Sequence, residues 1–168
     1  EGPLGVFNDT LKEVDYDDLE EGPADATASV GGWIGVTDKY WLTALVPDQK
    51  IPFTGTFRYS KPNQQDTYQA DFLTQTPQVI ASGATAQLVS HFFAGAKEVH
   101  LLDQYEAQLG IARFDLAVDF GWFYFLTKPL FFVLDYFFKM LGNFGLAILL
   151  LTVCVKAIFF PLANKSYK

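Results

Sequence analysis

An α+β membrane protein is the fold class the sequence predicts: part of a β-sandwich with one helix, then an amphipathic interfacial helix, then one transmembrane helix. Three observations point there. Residues 1–119 carry 7 Lys/Arg against 18 Asp/Glu, a net charge of −11, whereas residues 120–168 carry 5 against 1, a net of +4. Short runs rich in β-branched and aromatic residues fill the acidic part. The basic part holds an uninterrupted apolar run with a single charge, and two such unlike halves suit different solvents.

The first element is an acidic stretch, residues 8–29, NDTLKEVDYDDLEEGPADATAS, with eight Asp/Glu and one Lys. That density predicts a solvated, self-repelling loop. Beyond it come VGGWIGVT, YWLTALVP, FTGTFRYS, DTYQADFLT and TAQLVSHFF, separated by Pro, Gly, Asn or Asp, which predict about five strands. In the third, Phe53, Gly55, Phe57 and Tyr59 alternate with Thr54, Thr56, Arg58 and Ser60, the mark of one buried face. After Gly95 the period changes: Val99, Leu102, Tyr105 and Leu109 recur at helical spacing and Gly110 supplies a left-handed stop. Residues 1–119 therefore form the predicted sandwich portion.

Residues 120–142 come next, and WFYFLTKPLFFVLDYFFKML (122–141) is too interrupted by charge to span a bilayer comfortably. At 100° per residue Lys128, Asp135 and Lys139 fall on one narrow stripe, with aromatics elsewhere, which predicts a helix lying along the membrane surface. Asp135 and Lys139 make an i,i+4 pair, Trp122 and Tyr124 are headgroup-level anchors, Pro129 is expected in the first turn, and Gly142 ends the helix. Residues 143–163 form the predicted transmembrane helix, because Phe144 to Ala163 would rise roughly 30 Å, the thickness of a hydrocarbon core. Lys165 and Lys168 follow it, so the start of the cytoplasmic region is placed at 164–168 and the acidic part outside, in a bacterium the periplasm. The opening EGPLGVFNDT and the lack of any Met before Met140 read as a piece of a longer chain, and the one cysteine, Cys154, excludes an internal disulfide.

One residue breaks the apolar run. Lys156 lies about 4 Å past the middle of the predicted span, where insertion scales assign roughly 2.5–3.5 kcal/mol against a charge. The cytoplasmic end is on the order of 10 Å away, a long reach for snorkelling, so the charge is expected to face a protein-lined or water-filled cavity. Thr152, one turn away, is its polar companion on that face.

The segments GGWIGVTDKYWLTALVP (31–47), FDLAVDFGWFYFLTKPLF (114–131) and LGNFGLAILLLTVCVKAIFFPLANKSY (141–167), in this order, resemble the YidC/Oxa/Alb family of bacterial membrane protein insertases. The resemblance implies a periplasmic β-supersandwich, an interfacial helix, and the first of five core spans around a hydrophilic groove. By this resemblance Lys156 would take the groove's cationic position, where the commoner residue is arginine. The implied function is insertion and folding of inner-membrane proteins, with nascent membrane proteins and membrane lipids as partners. Contacts with the Sec translocon and the ribosome are implied through regions outside this sequence.

Other classes fit less well. A periplasmic binding or chaperone module would use Trp33, Tyr40 and Trp41 to line a cleft, although aromatics in a sandwich more often build its core. A transporter would use Lys156 for protons or ions. A hydrolase finds no support, because His91 and His100 form no HExxH and neither a P-loop nor a GxSxG occurs. No catalytic residue, metal site, cofactor or nucleic-acid contact is expected.

Overall fold

A computed structural model describes residues 1–22, 24–121 and 123–166, with side chains as far as residue 161. The chain divides into two compact units, Glu1–Val118 and Asp119–Lys168.

The first unit begins with strand β1 (Gly2–Phe7) and β2 (Thr10–Glu13), followed by the short helix α1 (Tyr16–Glu21) and β3 (Asp25–Val30). The predicted acidic loop at 8–29 is thereby corrected. Asn8 and Asp9 both take positive φ, 49° and 63°, and close a tight β1–β2 hairpin with Phe7 opposite Thr10. Lys12 pairs with Asp25 at 2.6 Å and also reaches Thr27, and Leu19 is buried. All the acidic residues of the stretch except Asp25 are exposed, Glu20 accepting from the Tyr68 hydroxyl at the surface, so they coexist with an ordered backbone. Charge density says where the side chains point, and here it concealed the pairing beneath.

Strands β4 (Gly32–Thr37), β5 (Trp41–Val46), β6 (Pro52–Ser60), β7 (Thr67–Thr74) and β8 (His91–Ala96) follow, and helix α2 (Val99–Leu109) ends at Gly110 with φ 65°. The run TAQLVSHFF is strand only from His91, because its partner β5 is six residues long and the ladder runs from Trp41↔Ala96 to Val46↔His91. All pairings are antiparallel, in a five-stranded sheet of order β2-β1-β4-β5-β8 and a three-stranded sheet of order β3-β6-β7.

The alternation of side chains gives the five-stranded sheet two buried faces. On one, Leu4, Val6, Trp33, Leu42, Ala44 and Val46 pack with Leu102 of α2 and with Ile111, Phe114 and Ala117 just after it. On the other, Phe7 and Ile34 meet Phe53 and Phe57 of the three-stranded sheet and Leu19 of α1. The unit is thus a sandwich with a helical layer on its outer side.

Gly55 faces Phe7 and Ile34 of the five-stranded sheet. A Cβ there would lie 2.5 Å from a ring carbon of Phe7, itself wedged between Phe53 and Phe57 at centroid distances of 6.2 and 6.3 Å. The ring has nowhere to go. Gly55→Ala should therefore destabilise the unit by about 1–3 kcal/mol, as overpacked cores do, read from amide exchange in β1 and β6.

At the far end of the β6–β7 hairpin, Asp66 receives hydrogen bonds from the Lys61 ammonium at 2.8 Å and from the Tyr59 hydroxyl at 2.6 Å. The Lys61 bond first, then Tyr59, holds the Asp66 carboxyl below its ordinary range. With the folded value depressed, this cluster's contribution is present above the unfolded pKa of aspartate and lost as pH falls through the folded one. A carbon-13 titration should place the Asp66 midpoint below the ordinary range of an aspartate, and Lys61→Ala should bring it back up.

Candidate membrane site

The second unit contains α3 (Tyr124–Leu141) and α4 (Phe144–Ser166). Trp122, the first predicted anchor, lies outside the described residues, whereas Tyr124 opens α3 and stacks edge-on against Phe120 at 5.7 Å. The Lys128 ammonium sits 5.6 Å from the centre of the Tyr124 ring, and Lys139 pairs with Asp135 at 2.7 Å, one turn apart.

Pro129 corrects the sequence reading, since it stands in the second turn and not the first. Its missing N–H leaves the Phe125 carbonyl without the regular i+4 donor, a cost the helix accepts near its exposed start. Gly142 adopts φ 66° and donates its N–H to the Phe138 carbonyl at 2.8 Å, ending α3.

Asn143 then starts α4: its side-chain oxygen accepts from the Leu146 N–H at 3.2 Å, an N-cap the sequence reading passed over. The signal was available, since Asn directly before an apolar run is a start mark. The two helices pack, with Phe138 and Phe144 5.7 Å apart and Ala147 fully buried.

Along α4, the 18 residues Phe144–Pro161 are long and apolar enough to cross a bilayer, and only 6% of them is buried. The core helix of a soluble protein would be covered, and this one presents Leu149, Val153, Ile158, Phe159 and Phe160 to its surroundings. The helix also runs through Pro161 to Ser166. Lys156 is exposed on this surface, and among the described residues none pairs with its ammonium. Thr152, one turn before it, donates its hydroxyl to the Ile148 carbonyl at 2.8 Å. That bond satisfies the hydroxyl proton within the helix and leaves the oxygen able to accept.

In the first unit, Trp33 is fully buried, and Tyr40 and Trp41 are 66% and 61% exposed. The three do not converge on a cleft. A groove of about 540 Å³ runs beside β8 and α2, and none of them lines it.

A two-sheet domain followed by an exposed apolar helix defines a membrane-anchored β-sandwich protein. Residues 1–133 match the family model of the YidC periplasmic domain. The chain is 47% identical over 168 residues to the membrane protein insertase YidC of Rickettsia canadensis, covering 99% of this chain and 30% of that protein. Against the membrane protein insertases YidC of Granulibacter bethesdensis and Agrobacterium fabrum it is 49% identical in each case, over 174 and 169 residues, covering 30% and 28% of those proteins. The chain belongs to the YidC family, and it spans about a third or less of the length of these curated relatives. Membership places it at the inner membrane with a periplasmic domain, in keeping with the sandwich and the apolar helix.

Proposed function

We propose that the protein acts as a membrane protein insertase in which Lys156 supplies the cation of a hydrophilic intramembrane groove. The observation that carries this reading is an exposed lysine, without an ion-pair partner among the described residues, in a helix whose other outward side chains are almost all apolar. An ammonium held at membrane depth costs several kcal/mol unless a function or a partner compensates.

The substrate is a nascent membrane protein with a polar, often acidic, extracytoplasmic tail. In the groove, the cation and water replace part of the hydration the tail loses, and attraction there exceeds that in bulk water. No bond is made or broken. Thr152 offers its hydroxyl oxygen one turn away, and further helices outside residues 1–168 complete the walls. The sandwich stands in the periplasm and residues 164–168 in the cytoplasm. Helix α3 lies at the interface, held by Tyr124, Lys128, Asp135 and Lys139. Work beside the Sec translocon and the ribosome belongs to the parts of the full-length protein beyond this sequence.

The test is insertion of a small acidic-tailed membrane protein into proteoliposomes by the full-length protein. Lys156→Arg should retain insertion and Lys156→Ala should lose most of it. Normal insertion by the alanine variant would move the mechanism away from this residue.

A further inference from the structure

We infer that the corner between α3 and α4 is a positioning element, centred on Asn143, that fixes the depth and rotation of Lys156 in the bilayer. The inference rests on the function and the interfacial placement of α3 proposed above. It assigns a further residue to the same site, one that acts on the substrate only through the lysine.

The corner is built without slack. Only Gly142 and Asn143 stand between Leu141, the last residue of α3, and Phe144, the first of α4. Gly142, at φ 66°, turns its N–H back to the Phe138 carbonyl. Asn143 is engaged through both of its oxygens: the side-chain oxygen accepts from the Leu146 N–H at 3.2 Å, and the carbonyl accepts from the Ala147 N–H at 3.1 Å. Gly145 leaves room for this cap, since a Cβ there would stand 3.3 Å from the Asn143 side-chain oxygen. Beside it the Phe138 and Phe144 rings meet edge-on at 5.7 Å, and Ala147 is fully buried.

Helix α4 has little of its own with which to choose a depth. From Phe144 to Val155 it carries no charged residue and no Trp or Tyr, whereas α3 carries Tyr124, Lys128, Tyr136 and Lys139. The headgroup-level anchors therefore lie before the corner. Sliding an apolar helix by an ångström or two costs little. An ammonium that must meet a carboxylate is far more sensitive to the same shift, because charge-assisted hydrogen bonds form only within about 3 Å.

From Asn143 to Lys156 the helix rises about 20 Å, and each residue turns it by about 100°. With the corner fixed, the depth and the facing of the ammonium both follow. Without the cap the first turn frays, and three residues passing from helix to extended chain release about 5 Å.

The experiment uses the full-length protein in proteoliposomes, with a nitroxide on Cys154 and any other cysteine replaced. Collisions of the label with oxygen and with a water-soluble nickel chelate report its depth, and insertion is measured on unlabelled protein. Asn143→Ala should move the label by about 2 Å, a little over the rise of one residue. Insertion of an acidic-tailed substrate should fall about fivefold, the size of a lost cap, while a neutral-tailed substrate inserts as before. Asn143→Ser keeps a capping oxygen and should restore both depth and insertion.

In Lys156→Ala protein, Asn143→Ala should lower insertion no further, because a residue that acts through the lysine has nothing left to position. A depth unmoved by Asn143→Ala would overturn the inference. So would equal losses for acidic and neutral tails, or a second full loss on top of Lys156→Ala, since either describes a cap that only stabilises α4. Normal insertion by Lys156→Ala alone sinks the proposed function instead, and the depth of the label reports the corner separately, so the two failures are told apart.

Discussion

Lys156→Glu is expected to abolish insertion of a substrate with an acidic tail while a substrate with a neutral tail continues to insert. The asymmetry follows from the sign of one charge. At about 4 Å and an effective dielectric near 20, a unit charge pair is worth about 4 kcal/mol. Reversal turns that attraction into a repulsion of similar size. Even a small share of this difference in the barrier, about 2.7 kcal/mol, is a hundredfold in rate. A neutral tail feels only the loss of hydration, which water in the groove still relieves.

Protease protection of both substrates in the same proteoliposomes measures the effect. Lys156→Arg serves as the retained-charge reference and circular dichroism as the fold check. The substitution lies on an exposed face of α4 with no pairing partner among the described residues, so a packing defect is not expected. Equal loss for acidic and neutral tails would assign the lysine a structural role.

How far such residues were legible in the sequence depended on what each signal measures. The apolar run of α4 and the Asp135–Lys139 pair were readable because period and spacing report helical faces directly. The alternation at Phe53 and Phe57 likewise marked a buried face. The order hidden in residues 8–29 was not legible, since its carboxylates advertise solvent while Leu19, the Asn8–Asp9 turn and the Lys12–Asp25 pair do the local work. Strand β1 was missed for a related reason: GPLGVF is short and contains two glycines and a proline, and it is strand because β2 and β4 flank it. At the candidate site, spacing gave Lys156 and Thr152 as neighbours, but the hydroxyl's bond to Ile148 needed the helix itself.

The largest stability loss in the sandwich should come from Trp33→Ala. Trp33 has no exposed surface, its ring meets Phe114 edge-on at 5.5 Å, and its indole N–H donates to the Arg113 carbonyl at 3.4 Å. Phe114 in turn meets Phe93 of β8 at 5.5 Å, so one indole ties the middle of the sheet to the segment that follows α2. Truncation removes this contact and leaves a cavity no neighbour can fill, because the surrounding strands are fixed by their ladders. Buried Trp→Ala changes cost about 3–5 kcal/mol, a third or more of the stability of a typical domain. Amide protection in β4 and β5 should therefore fall by about a hundredfold or more. Trp33→Phe keeps the edge contact and should cost much less, whereas Trp41→Ala, at a side chain 61% exposed, should change protection by no more than about 0.5 kcal/mol. If Trp33→Ala kept full protection and lost only activity, the aromatic would be a binding residue and the sandwich a recognition module. The packing around it argues for the first outcome, since a ring already enclosed on every side has no face left for a ligand.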